Sequence, residues 1–207
     1  MNKKACINAL KEYNPIPPSE ALVWTRGHWK VMKNDLLNEM DECLAHPLNS
    51  NRDALFIYAC YHCAEEHCEE AFERYVNMCR LPSPLQDFLL GDMLTQNMGH
   101  WLALTCRGRI QTIKSLVEDP NVNEFARSKA VYALCRLTLD KDIESLSFLN
   151  YCQWLLEEGL ERWHSYVWDG VISAVHSLYP GKLLPQIRLA YETGLADPTC
   201  CDLEEIE

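Results

Sequence analysis

The chain has 207 residues, 48% of them apolar, and a net charge of −11. That apolar share is too high for disorder and is enough for one domain with a sizeable core or a short repeat array. The acidic balance argues against nucleic acid and against an anionic membrane surface, both of which are gripped through basic residues.

Residues 1–18 read as an irregular lead-in that ends in Pro15, Pro17 and Pro18. The main domain is expected over 19–195. Its first helical stretch, 19–46, breaks near Gly27-His28, and Leu36, Leu37, Met40, Cys43 and Leu44 form the apolar stripe of its second part. Ser50 to Asp53 has the form of a capping box and opens a helix to about Glu66. Its stripe is Phe56, Cys60, Cys63 and His67, and the partner helix 68–80 turns Ala71, Phe72, Tyr75, Val76 and Cys79 inward. Pro82 and Pro84 end that hairpin.

The stretch Leu89 to Pro120 reads as a hairpin bent at Arg107-Gly108-Arg109. Leu94, Met98, Trp101, Leu102 and Thr105 recur with helical period on its first arm, and Ile110, Ile113, Leu116 and Val117 on its second. Asp92 stands at the position of an N-cap. Further helices are expected at 123–139, 143–161, 164–179 and 182–194. From Glu192 to Glu207 there are six acids and no base, so 196–207 reads as a solvated acidic tail.

No strand-like alternation appears, which predicts an all-α protein. Phe72, Ile113, Cys152 and Ile187 hold matching places in successive second helices, at separations of 41, 39 and 35 residues. A period near forty predicts a HEAT-like α-solenoid of four to five helical hairpins.

The eleven cysteines are odd in number and not framed by short loops, so they read as reduced thiols. The N-terminus lacks the uninterrupted apolar segment of a signal peptide, and no run approaches the ~18 apolar residues of a membrane span. The expected compartment is the cytoplasm.

Several blocks resemble the bacterial domain-of-unknown-function family 1186. They are Leu90-Gly91-Asp92 with Thr95, Leu116-Val117-Glu118-Asp119-Pro120-Asn121 followed by Phe125-Ala126-Arg127, Tyr166-Val167-Trp168-Asp169, and Gly194-Leu195-Ala196-Asp197-Pro198 running to Asp202-Leu203-Glu204. The resemblance covers roughly residues 18–205 and implies a HEAT-like helical fold without an assigned biochemical role. Members of that family often continue into a SEC-C segment, a cysteine-rich zinc-binding tail. This sequence stops at Glu207, and Cys200-Cys201 lacks that tail's ligand spacing, so zinc is not carried over.

Three constellations could carry function. Cys60, Cys63 and His67 fall within an arc of about 60° on a continuous helix and could hold zinc with a fourth ligand such as Cys79. The plainer reading is a core stripe with cysteine as a small apolar residue. The acidic run Glu65, Glu66, Glu69, Glu70 and Glu73 could receive a basic peptide, or be a solvated face. Asp92, His100, His164 and Asp169 could build an enzyme cleft between hairpins; for Asp92 capping is the plainer role, and for Trp168-Asp169 an aromatic anchor beside a surface carboxylate. Glycine-rich phosphate loops, nucleophile elbows and HExxH are absent, so no cofactor is expected. The leading expectation is an adaptor that binds a protein or peptide, favouring a basic one, through a concave or acidic face. An enzyme and a zinc protein stand as alternatives.

Overall fold

The computed structural model describes residues 1–48, 54–178 and 181–200. Among them every regular element is helical, as the patterning predicts. The first element departs from expectation. Residues 3–11 are not irregular but form α1 (Lys3–Lys11), capped where the Asn2 side chain accepts the Ala5 N–H at 2.9 Å. Cys6 and Leu10, one turn apart, are fully buried in the common core. The three prolines begin only after this helix, so they end a lead-in that has already folded.

Next come α2 (Ser19–Gly27) and α3 (Trp29–Ala45), divided at His28. The capping-box residues Ser50 to Asp53 lie outside the described residues. α4 (Ala54–Glu65) is followed by a single 3-10 turn, Glu69–Ala71, and α5 (Phe72–Cys79).

The segment after Pro82 is itself helical: α6 (Ser83–Leu89) carries Pro84 in its first turn, where a missing N–H costs nothing. Gln86 is fully buried and donates from its amide nitrogen to the carbonyls of Met78 at 3.0 Å and Cys79 at 2.7 Å. A side chain from α6 thus closes the carbonyl end of α5, which has few intrahelical partners of its own.

The first arm of the central hairpin is split at Asn97 into α7 (Met93–Gln96) and α8 (Met98–Thr105), yet its stripe survives: Leu94, Met98, Trp101, Leu102 and Thr105 are all buried. α9 (Ile110–Glu118) and α10 (Glu124–Leu139) follow. Asn123 caps α10 by accepting the Phe125 N–H at 2.8 Å. α11 (Ser145–Trp154) widens into a π turn, Leu155–Gly159, before α12 (Tyr166–Leu178). A 3-10 turn, Gly181–Leu183, opens α13 (Leu184–Glu192).

Neighbours in space follow the chain. α4 packs on α8, α8 on α10 and α10 on α12, while α5 packs on α8 and α9 and α13 on the π turn. Phe72, Ile113, Cys152 and Ile187, the residues spaced near forty, are all fully buried. Each large apolar side chain sealed between helices contributes about 1.5–3 kcal/mol. No described helix is long and apolar enough to cross a membrane.

α10 is the hub. It touches α7, α8, α9, α11 and α12, and it buries polar as well as apolar positions. Two glycines let neighbours come close. A Cβ on Gly170 of α12 would lie 2.4 Å from Ser128 Oγ, and one on Gly99 of α8 would lie 2.8 Å from the Lys129 carbonyl. Arg127 is 2% exposed and forms a two-pronged pair with Glu161, Nη1 to Oε1 at 2.5 Å and Nη2 to Oε2 at 2.8 Å. Its Nε donates to the Val117 carbonyl at 2.9 Å, so one side chain ties the end of α9, the start of α10 and the approach to α12.

Candidate functional site

The acidic run near the start of α5 is not an open anionic patch. Four of its acids meet a base from elsewhere in the chain: Glu65 pairs with Arg26 at 2.9 Å, Glu69 with Arg107 at 3.1 Å, Glu73 with Arg109 at 3.8 Å, and Glu70 with Lys33. Lys33 holds Glu70 down to about 2, and the same contact raises the lysine. Arg109 also stacks over the Phe72 ring at 4.2 Å and donates to the Glu69 carbonyl at 2.9 Å. These residues clasp α2, α3 and the turn before α9 onto the α4–α5 junction. Exposed ion pairs of this kind are worth little individually, but they occupy the charges a basic peptide would need. Glu66, at the same junction, lines an open cleft with Trp29, Lys33, His67 and Cys68.

The zinc arrangement does not form. α4 ends at Glu65, and His67 takes a left-handed conformation, φ +50°, beyond the helix. Its exposed ring stands 3.2 Å from the Leu104 carbonyl, while Cys60 and Cys63 stay buried on α4 and Cys79 is buried on α5. The even helical spacing on which the arc depended stops two residues short of the histidine. No group of three or more metal-ligating side chains converges among the described residues.

The four candidate enzyme residues do not share a cleft. His100 pairs with Tyr132, Nε2 to Oη at 2.9 Å, on the surface of α8 and α10. Asp92 is exposed, and its carboxylate makes no capping bond; Thr95 instead donates its hydroxyl to the Asp92 backbone carbonyl at 3.2 Å. The expected cap fails because Asp92 is already in helical conformation, φ −64° and ψ −18°, which turns its side chain away from the first free amides. Asp169 lies in a different cleft, between α10 and α12, with exposed His164 as an electrostatic neighbour. Asp169 is not a surface carboxylate. It is 4% exposed, burial pushes its pKa up, and Oδ2 has no partner. Trp168 is buried, donates its indole N–H to the Glu161 carbonyl at 3.1 Å, and carries the Arg162 guanidinium 5.5 Å above its ring. It anchors the core and its indole N–H is already used.

An apolar concavity borders Asp92. A cleft of about 570 Å³ opens between α4, the loop after α1 and the α6–α7 segment, lined chiefly by Tyr13, Phe56, Tyr61, Leu90 and Met93 with Asp87 and Asp92 among them. Sequence reading singled out Asp92 but missed the wall around it. Tyr13 stands in the irregular stretch after α1, where no pattern marks it as a wall, and Pro82 and Pro84 predict only a hairpin end where α6 forms.

A family model described as a protein of unknown function, DUF1186, matches residues 4–207. The chain belongs to the DUF1186 family. Two relatives, each an uncharacterized protein, come from Chlamydia muridarum (strain MoPn / Nigg) and Chlamydia trachomatis serovar D. Both are 26% identical over 197 residues, covering 94% of this chain and 79% and 78% of the relatives. No solved structure matches.

In this DUF1186 chain the blocks that carried the resemblance fall on joints. The Leu116 to Asn121 and Phe125 to Arg127 blocks make the α9–α10 corner, where Asp119 turns Asn121 and Arg127 returns to Val117. The Trp168-Asp169 and Gly194 to Asp197 blocks meet where Asp169 accepts the Asp197 N–H. Leu90, Gly91 and Asp92 of the first block form one wall of the apolar cleft.

Proposed function

We propose that this protein is a cytoplasmic helical-repeat adaptor whose cleft beside α6 and α7 takes an amphipathic, basic segment of a partner protein. The observation that carries the reading is the pairing of apolar wall and acid in that cleft: Phe56, Tyr61 and Met93 beside the exposed carboxylates of Asp87 and Asp92. Clefts of roughly 300–1,000 Å³ with a few polar groups are the usual form of a binding site. The α-solenoid reading of the sequence supports it, since a serial array of hairpins leaves grooves between neighbouring repeats. An apolar anchor would fill the cleft, and a lysine or arginine beside it would meet the two carboxylates. Four of the five acids of the α4–α5 junction are engaged within the chain, and none of the five lines this cleft.

Three fluorescent peptides test the reading. They share one amphipathic apolar pattern and carry lysine, glutamate or serine on the polar face. The lysine peptide is expected to bind tightest, to weaken as salt rises, and to lose that preference with D87N/D92N protein. Equal binding of all three, or binding unchanged by the double substitution, overturns it.

A further inference from the structure

The end of α4 is built as a particular kind of stop. The Cys68 N–H reaches back to the Cys63 carbonyl at 2.8 Å, and the His67 N–H to the Ala64 carbonyl at 3.0 Å. With His67 at φ +50°, this is a Schellman closure. Such a closure brings together the side chains of the residues that make the outer bond, normally as an apolar contact. Here both are cysteines, and the closure sets their side chains beside one another.

The two sulfurs differ in their surroundings. Cys63 is fully buried. Cys68 is only 4% exposed, but it lines an open cleft with Trp29, Lys33 and Glu66, and its thiol donates to Glu70 Oε2 at 3.4 Å. A hydrogen bond from Cys63 holds the Cys68 thiol below its ordinary value, while that contact and burial push Cys63 up. The pair therefore has one sulfur bordering a cleft, which ionises more readily, and one sealed sulfur beside it in the same closure.

We infer that Cys63 and Cys68 form a peroxide-oxidised dithiol site, with Cys68 as the attacking sulfur and Cys63 as the resolving one. The Cys68 thiolate attacks one oxygen of a hydroperoxide. The O–O bond breaks, an S–O bond forms, and the departing oxygen leaves as water or alcohol after taking up a proton. The Cys63 sulfur then attacks Cys68. An S–S bond forms, and hydroxide leaves as water with the proton that Cys63 gives up. The peroxide gains two electrons, and the two sulfurs lose one each. Reduction by a small dithiol reverses the change.

The test uses the full chain and hydrogen peroxide. Protein is oxidised with one equivalent, unfolded, alkylated and digested with trypsin. Residues 53–74 leave as one peptide that holds Cys60, Cys63 and Cys68. The expected peptide is lighter by two hydrogens, carries one alkyl group, on Cys60, and regains the other two after reduction. In Cys63→Ala protein the Cys68 sulfenic acid should persist and be trapped by dimedone. In Cys68→Ser protein, whose hydroxyl keeps the shape of this cleft-lining position, thiol loss from the peptide should slow at least ~10-fold, as expected when the attacking sulfur is removed. A peptide that stays fully alkylated while other cysteines oxidise overturns the assignment. So does Cys68→Ser protein that loses thiols at the original rate. The wild-type mapping decides the matter even if either variant folds poorly.

Discussion

Asp169 Oδ1 accepts the backbone N–H of Asp197 at 2.8 Å, joining α12 to the segment that follows α13. The bond explains why this segment is not a free tail where it begins: Leu195 and Ala196 are buried beside it. The rest of the expected tail, 201–207, lies outside the described residues. The carboxylate is buried, and Oδ2 has no partner.

The two atoms of that carboxylate can be tested separately. Asp169→Asn keeps an acceptor for Asp197 and removes a buried charge. Asp169→Ala removes the acceptor as well. A buried amide left without its acceptor costs about 1–3 kcal/mol, so the alanine variant should unfold at lower denaturant while the asparagine variant stays at or above the parent at neutral pH. The sign follows from titration. Because burial raises this acid in the folded state, the folded protein binds more protons than the unfolded one just above pH 3.8, and stability falls as pH rises through that window. The asparagine variant should lack that fall.

Arg127 and Glu161 behave oppositely. Burial pushes Glu161 up, but the hydrogen bonds from Arg127 and the backbone outweigh it and hold the acid below its ordinary value. Its stabilisation is therefore present above the unfolded value of about 4.3 and is lost as pH falls through the folded one. Removing one partner of a buried pair strands the other, so Arg127→Ala should cost about 3–5 kcal/mol in urea unfolding at pH 7. Arg127→Met with Glu161→Leu should recover much of that loss, and its denaturation midpoint should change less between pH 6 and pH 3 than the parent's.

A third variant reads the spacing of α10 and α12. The Cβ of Gly170→Ala would meet Ser128 Cα at 3.1 Å as well as its hydroxyl, so the helices must part. Overpacking of this kind costs about 1–3 kcal/mol. In a chain of this size that lowers the melting temperature by about 2–4 °C per kcal/mol. Ser128→Gly in the same protein should restore part of the loss. Purely additive effects in the double-mutant cycle would mean that the two helices do not touch there.

Much of the helical layout was legible in the sequence because burial follows a 3.6-residue stripe. The residues from Leu94 to Thr105 form one even though Asn97 breaks the helix beneath them. α6 was not legible, since its two prolines read as a stop when one of them sits harmlessly in a first turn. α1 was hidden by the prolines after it and by the lysines that flank Cys6 and Leu10. The candidate residues fared worse for a physical reason: which base meets Glu69 or Glu73 depends on contacts some forty residues away in the chain. His67 shows the same limit locally. Its spacing from Cys63 is helical, but a left-handed residue ends the helix before the spacing can matter.

The central placement of α10 has a consequence for how the protein can be taken apart. Because this one rod is walled by neighbours from before and after it in the chain, severing it anywhere would strip both pieces of their shared lining. Limited digestion should nick the outlying loops or consume the molecule whole, without releasing a stable half.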